Sequence, residues 1–162
     1  MKSRITLFCA VLVLMLLFPS CAAQTEEITV SDFVKEAVVK WNDFSYNCTV
    51  QYNSSNVTVT VNSSNAAGVV MEYNSNNFMI SYGGMIYENS NADALTGNPA
   101  QAIFGALEAV NSGNCSKKHI EGGIEFKGNC LAGDFVCSLN EDKSVKVIEY
   151  PDKNLYIEFK NA

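Results

Sequence analysis

The sequence has little of the chemistry on which nucleic-acid-binding proteins and many enzymes depend. Its 162 residues include a single arginine, Arg4, and a single histidine, His119. Lysine and arginine together number 11 against 17 acidic residues, which gives a formal net charge of −6 at pH 7. Because phosphate recognition draws on clustered arginine and lysine, this composition argues against nucleic acid as a partner.

Residue patterns typical of catalysis and metal binding are also missing. The sequence has no second histidine to pair with a nucleophile, no Gly-x-Ser-x-Gly motif and no Cys/His ligand spacing. The nearest approach to paired carboxylates is Glu121 with Glu125, or Glu141 with Asp142, and the second pair is predicted at a hairpin tip. We therefore predict no catalytic residues, no metal site and no cofactor, and a protein that is not an enzyme.

Residues 1–20 have the pattern of an export signal. Lys2 and Arg4 precede an apolar run from Ile5 to Phe18, and Pro19-Ser20 leads into Cys21. The run is shorter than the about 20 residues that a membrane span needs. Leu17 to Cys21 resembles the lipobox of bacterial lipoproteins, in which the cysteine is lipidated and becomes the first mature residue. The alternative is ordinary cleavage near Cys21 that releases a secreted protein.

These features predict three segments: a lipoprotein signal peptide at 1–20, a tether at 21–30 and one domain at 31–162. The chain after the signal has nine basic and 17 acidic residues, a net charge of −8 (9 − 17). Such a surface repels anionic headgroups, so we expect attachment to the membrane through acyl chains on Cys21, outside the cytoplasm. Asn-x-Ser/Thr sequons also occur, but among 18 asparagines we attribute them to composition.

Four cysteines follow Cys21. Cys48 and Cys137 fall at apolar-face positions of predicted strands, where a free thiol behaves as a small hydrophobe. Cys115 and Cys130 fall in turn-rich segments and could form a disulfide.

The apolar pattern predicts an α+β domain. Ser31 is predicted to cap a helix that ends near Trp41, and a second helix begins with Asn98 as its cap, Pro99 at its first position and Gln101 completing a capping box. Between and after them, alternating apolar residues predict about seven antiparallel strands. We expect a curved half-barrel sheet whose concave face is covered by the two helices.

Gly83-Gly84 gives the sharpest local prediction. Two glycines between apolar runs specify a two-residue hairpin, because both central residues need positive φ. The register then places Tyr82 opposite Met85 and Ile80 opposite Tyr87, on one face. A different feature is the absence of any charged residue from Phe44 to Met71, which we interpret as an uncharged, solvated sheet surface.

Five segments carry a resemblance to known proteins: Val57–Val61, Met79–Gly84, Asn98–Ala102, Asp134–Asp142 and Leu155–Phe159. With them, the chain from its first predicted helix onward resembles small lipoproteins of Clostridia-type Gram-positive bacteria. The element order also resembles that of lipoprotein carriers of the LolA and LppX type. The resemblance implies a curved sheet that holds lipid or acyl chains through generic apolar surface.

The predicted function is therefore that of a monomeric, membrane-anchored lipoprotein that binds a hydrophobic or acylated ligand. Two other readings are a non-catalytic cell-envelope interaction protein with a fully packed core and, behind both, an extracytoplasmic hydrolase. A cavity of several hundred Å³ would favour ligand binding over the packed core. The candidate ligand-binding residues are Tyr82, Met85, Tyr87, Ile80, Met71 and Phe104.

Overall fold

A computed structural model describes residues 28–91 and 97–160 as one curled antiparallel sheet with a helix on its concave face. The predicted signal peptide and Cys21 lie outside the described residues. The helix α1 spans Pro99–Asn111, and a short 3-10 turn spans Pro151–Lys153. The eleven strands are β1 (Phe33–Trp41), β2 (Phe44–Asn53), β3 (Asn56–Val61), β4 (Val70–Asn74), β5 (Asn77–Tyr82), β6 (Met85–Asn89), β7 (Cys115–Ile120), β8 (Gly123–Cys130), β9 (Gly133–Asn140), β10 (Val145–Tyr150) and β11 (Leu155–Phe159).

The prediction of about seven strands and two helices is wrong. The sheet has eleven strands in the order β6-β5-β4-β3-β2-β1-β11-β10-β9-β8-β7, and α1 is the only α-helix in the described ranges. Strand β7 was missed because five of its six side chains are exposed, so its sequence shows no apolar alternation. Among these same residues, no helix combines the length and apolar character that crossing a membrane requires.

The predicted first helix is strand β1. Apolar residues Phe33, Val34, Ala37, Val38 and Trp41 fit a helical stripe, but the chain buries Ala37 and Val39, two residues apart. Strand β1 pairs with β2 on one side and with β11 on the other. This central position in the sheet, together with the β-branched valines, outweighs the local helical pattern.

The sheet curls around α1. The helix contacts β3 and β4 on one flank and β8 and β9 on the other. Four strands (β2, β1, β11 and β10) lie between β3 and β9 in the sheet order. A helix only about 10 Å in diameter can reach both flanks only if the sheet wraps around it. The predicted curvature of the sheet is therefore present, with one helix in the concavity instead of two.

Both ends of α1 are closed as its sequence predicts. The Asn98 Oδ1 accepts a hydrogen bond from the Gln101 backbone N–H at 2.9 Å, and the Gln101 Oε1 accepts from the Gly97 N–H at 2.6 Å. At the other end, Gly113 has a φ of +71° and its N–H donates to the Val110 carbonyl at 3.2 Å. These contacts satisfy backbone groups that a helix end otherwise leaves unpaired.

The side chain of Asn111, the last residue of α1, forms hydrogen bonds with the start of the described chain and with β2. The Asn111 Oδ1 accepts from the Val30 N–H at 2.7 Å, and its Nδ2 donates to the Tyr52 hydroxyl at 2.9 Å. Ile28 and Val30 are buried in the core. The packed domain thus includes residues 28–30, which the sequence assigned to the tether.

Neutral amides shape the ends of strands near this end of the sheet. In the turn between β2 and β3, the Asn53 Oδ1 accepts from the Ser55 N–H at 3.0 Å. In the turn between β4 and β5, the Asn74 Oδ1 accepts from two backbone N–H groups, at 2.9 and 2.8 Å. Where the chain leaves β6, the Asn89 Oδ1 accepts from the Asn91 N–H at 2.8 Å. These three asparagines therefore stabilise turns through their side chains.

Gly105 brings the middle of α1 close to β8. A Cβ atom at this position would lie 2.8 Å from the Cys130 Sγ and 3.2 Å from the Cys130 Cβ. One turn earlier, the Tyr150 hydroxyl donates to the Ala102 carbonyl at 2.7 Å. Small residues on α1 therefore let the helix sit deep against β8 and β9.

We expect Gly105→Ala to destabilise the protein by about 1 kcal/mol, although alanine favours an isolated helix by about that amount. The added methyl has no space beside Cys130, and overpacking outweighs the gain in helix propensity. Urea unfolding followed by circular dichroism measures the change. The loss of stability caused by Gly105→Ala should be smaller in a protein that also carries Cys130→Ala. Stabilisation by Gly105→Ala would contradict the close approach of α1 to Cys130.

Candidate functional site

An open apolar groove lies on the concave face beside the first turn of α1. Its volume is about 480 Å³. The turn between β1 and β2, the connection between β3 and β4, strands β4 and β5 and the start of α1 form its wall. Its lining residues are Trp41, Phe44, Ser45, Tyr46, Val61, Ser64, Ala66, Val69, Met71, Phe78, Ile80, Asn98 and Pro99.

The groove exists because α1 presents little side-chain volume there. Only Asn98 and Pro99 at the helix start reach the lining. The bulky residues begin about one turn later, where the Phe104 ring packs 5.4 Å from the Tyr73 ring. The sheet continues past the region that the helix fills, and the uncovered part of its apolar face forms the groove.

Among the residues that the structure describes, no charged side chain lines the groove. The polar groups in the lining are neutral: the hydroxyls of Ser45, Ser64 and Tyr46, the indole of Trp41 and the amide of Asn98. Desolvation by burial, and after it the nearby Cys48, raises the pKa of Tyr46 well above its usual value of 10.0. The groove is therefore a place for neutral, apolar groups.

Exposed apolar side chains surround the mouth of the groove. Trp41 and Phe44 flank the turn between β1 and β2 and are 38% and 75% exposed. Tyr82 and Met85 flank the turn between β5 and β6, which lies at the same end of the sheet, and are 47% and 69% exposed. We call this end, where β1 and β5 finish and β2 and β4 begin, the groove end.

The six predicted ligand-binding residues divide into two groups. Met71 is buried, Ile80 is half-buried, and both line the groove. Phe104 is buried against Tyr73, whereas Tyr82, Met85 and Tyr87 are exposed, and these four do not line it. The predicted hairpin register of Tyr82 with Met85 and Ile80 with Tyr87 is confirmed. A ligand-binding role for the six residues stays a prediction.

Most of the lining was missed at the sequence level, although two signals were present. Eight lining residues fall in the charge-free stretch from Phe44 to Met71, which we had interpreted as a solvated surface. The other signal is Asn42, whose φ of +52° belongs to a tight turn between Trp41 and Phe44. Asn-Asp between two apolar residues indicates a two-residue hairpin, which would have replaced the predicted helix.

The candidate catalytic groups are dispersed. His119 is exposed on β7, where its register partner is Ile124. Glu125 forms an ion pair with Lys127 at 3.3 Å. Among the residues that the structure describes, no three His, Cys, Asp or Glu side chains are grouped to hold a metal ion.

The four described cysteines are free thiols. Cys48 and Cys137 are buried, as predicted. Cys115 pairs with Gly128, so Cys130 lies diagonally across from it, at a typical Cα separation of about 7–8 Å that is too long for a disulfide. The suggested Cys115–Cys130 bridge is therefore not formed. Instead, the Cys115 Sγ lies 3.6 Å from the Ala109 carbonyl, and the Cys130 Sγ lies 3.3 Å from the Tyr150 hydroxyl.

The solved structures that are similar to this chain include the crystal structure of a LolA superfamily protein from Nitrosomonas europaea. That protein is 10% identical, with a TM-score of 0.42, over 83% of this chain and 87% of that one. A similarity at this level carries no further conclusion. No family model matches the sequence, and no curated protein does.

We expect the thiols of Cys48 and Cys137 to resist alkylation in the native protein at pH 8. Burial raises the pKa of Cys48 to about 11 and that of Cys137 to about 12, so both stay protonated and shielded. Iodoacetamide labelling followed by peptide mass mapping tests this, with urea-unfolded protein as the control. Labelling of either thiol as fast as in urea would contradict its burial.

The same two groups make stability depend on alkaline pH. Their thiols have pKa values near 9 in the unfolded chain and higher values in the folded one. The contribution of these thiols to the free energy of unfolding is therefore complete below pH 9. It is lost as the pH rises from about 9 towards 11 and 12, because the thiols ionise first in the unfolded chain and ionisation stabilises that state.

Proposed function

We propose that this protein binds a hydrophobic or acylated ligand in the apolar groove and acts without catalysis. The observation that carries the proposal is the groove of about 480 Å³, whose described lining residues include no charged side chain. Small-molecule sites in proteins commonly measure about 300–1,000 Å³ and are mostly apolar with a few polar groups. We predicted from the sequence that a cavity of several hundred Å³ would favour ligand binding over a fully packed core. The groove has a volume in this range, so it favours binding.

The lining indicates which part of the ligand enters. Met71, Phe78 and Ile80 offer hydrocarbon and aromatic surface in the groove, which suits an acyl chain. An ionised group would lose its hydration there without a charged partner, at a high cost in free energy. A charged headgroup therefore stays at the mouth, where the exposed Ser64 offers a neutral hydroxyl.

A second candidate is a non-catalytic envelope protein that binds a partner protein. The exposed side chains of Phe44 and Met85 at the groove end favour it, because exposed apolar patches commonly mark interaction sites. In that case, the groove would belong to a protein contact surface and would not take up a free lipid.

We further propose that the protein is held outside the cytoplasm by lipid on Cys21, with secretion as the alternative. Val30 is bonded to Asn111 at the end of α1, and Phe33 pairs with Tyr52, so the described chain begins at the end of the sheet opposite the groove end. The groove would then open away from the anchored end, and a ligand would arrive from the surroundings or from a partner.

We expect Ala66→Trp to weaken binding of a neutral apolar dye, N-phenyl-1-naphthylamine, at least about tenfold, a loss of about 1.4 kcal/mol. Ala66 is exposed and lines the groove, so an indole there occupies ligand space without disturbing the core. Fluorescence titration measures the affinity. Ala67→Trp is the matched control, since this neighbour is also exposed but does not line the groove.

Equal dye affinity in the two variants would overturn the groove as the binding site. Lack of dye binding by the unaltered protein would favour the packed interaction protein. Native mass spectrometry of protein purified from its own host adds a direct measurement, because a co-purifying lipid would identify the ligand class.

We expect Cys21→Ala to release the protein from the membrane fraction into the medium, since it removes the predicted lipidation site. Cell fractionation and immunoblotting measure the distribution. Cys9→Ala is the control, because it alters a cysteine within the apolar run and should leave the protein membrane-bound. Retention of Cys21→Ala would contradict anchoring through lipid on this residue.

A further inference from the structure

The two edges of the sheet differ in their protection against pairing. Edge strand β7 carries Lys117, Lys118 and His119, and charged side chains on an edge discourage another strand from adding to it. Edge strand β6 begins instead with Met85, Ile86 and Tyr87, which are 69%, 68% and 49% exposed. Strand β6 is therefore the less protected of the two edges.

Among the described residues, no strand pairs with the outer side of β6. The Gly83-Gly84 turn makes Tyr82 and Met85 the closing pair of a two-residue hairpin, in which they exchange hydrogen bonds. The alternation of the ladder then turns the N–H and C=O groups of Ile86 and Glu88 away from β5. In the described part of the chain, β6 is the last strand on this side of the sheet.

We propose that a second copy of this chain pairs antiparallel with β6, with Ile86 opposite Ile86 of the second copy. This register directs the outward backbone groups of the two strands at each other. It places Met85 opposite Tyr87 of the second copy, a contact between sulphur and an aromatic ring that is favourable. It also places Glu88 opposite Gly84 of the second copy, so that no like charges face each other.

Charge explains why this edge suits self-association. Two chains with a net charge of −6 each repel one another, so their contact must be poor in charge. Glu88 is the one charged side chain of β6, and its Oε1 accepts a hydrogen bond from the Asn77 Nδ2 at 2.6 Å. A register centred on Glu88 would instead bring two carboxylates face to face.

The pairing would also enlarge the wall beside the groove. Met85 and Tyr87 share a face with Ile80, which lines the groove. In the dimer, both side chains would gain a neighbouring strand in place of water. Because one short strand buries little area, we expect a dimer that forms at high local concentration, such as on a membrane surface. This dimer replaces the monomer predicted from the sequence.

The test is cysteine cross-linking of the full chain in its host envelope. Ile86→Cys puts two thiols at directly opposite positions in the proposed register, so mild oxidation should give a disulfide-linked dimer on a non-reducing gel. The unaltered chain, oxidised in the same way, is the control that measures any dimer formed by the native cysteines alone. Ile120→Cys is the matched control, since Ile120 is an exposed isoleucine on the other edge strand, at 38% exposure.

A second measurement does not depend on added thiols. Ile86→Lys should weaken the dimer at least about tenfold in concentration-dependent light scattering, because it opposes two like charges across the pair, whereas Ile120→Lys should not. Circular dichroism checks that both variants stay folded. Equal cross-linking at positions 86 and 120, cross-linking of Ile86→Cys only to another protein, or a monomer at all concentrations would each overturn the proposal.

Discussion

The close packing of helix α1 against β8 is the constraint from which the rest of the structure follows. Gly105 lets the helix backbone approach Cys130, and the Tyr150 hydroxyl holds the Ala102 carbonyl from the sheet side. With the helix fixed there, β3 and β4 must curl over to cover its other flank. The helix begins too late to fill the concavity near Phe44, so the same seating that closes the core leaves the groove open.

Local chemistry was predictable from the sequence, and long-range pairing was not. The cap at Asn98 and the hairpin at Gly83-Gly84 depend on a few adjacent residues, and both are present as predicted. Strand β1 shows the opposite case, because its apolar spacing fits either a helix or a strand. Pairing with β11, more than a hundred residues away in sequence, decides between them. Strand β7 is defined by its ladder with β8 and has almost no burial pattern of its own.

The candidate site was only partly predictable because a groove consists of space that is left unfilled. Sequence patterns identify which residues are apolar enough to be buried, such as Met71 and Ile80. They do not identify where the helix is too short to fill the space beside the sheet. Trp41 and Pro99 meet at the groove only through the strand order and the helix position. The absence of charge from Phe44 to Met71 was visible, and its correct interpretation needed the curl that turns this stretch inward.

The asparagine turns have a consequence for the conditions that the fold tolerates. Carboxamides such as those of Asn53, Asn74 and Asn89 neither titrate nor exchange counterions, unlike aspartates in the same role. The turns between β2 and β3 and between β4 and β5, and the chain that leaves β6, therefore keep these hydrogen bonds through acidification and through large changes in ionic strength. A protein outside the cytoplasm, where neither variable is buffered by the cell, would retain the outline of its sheet.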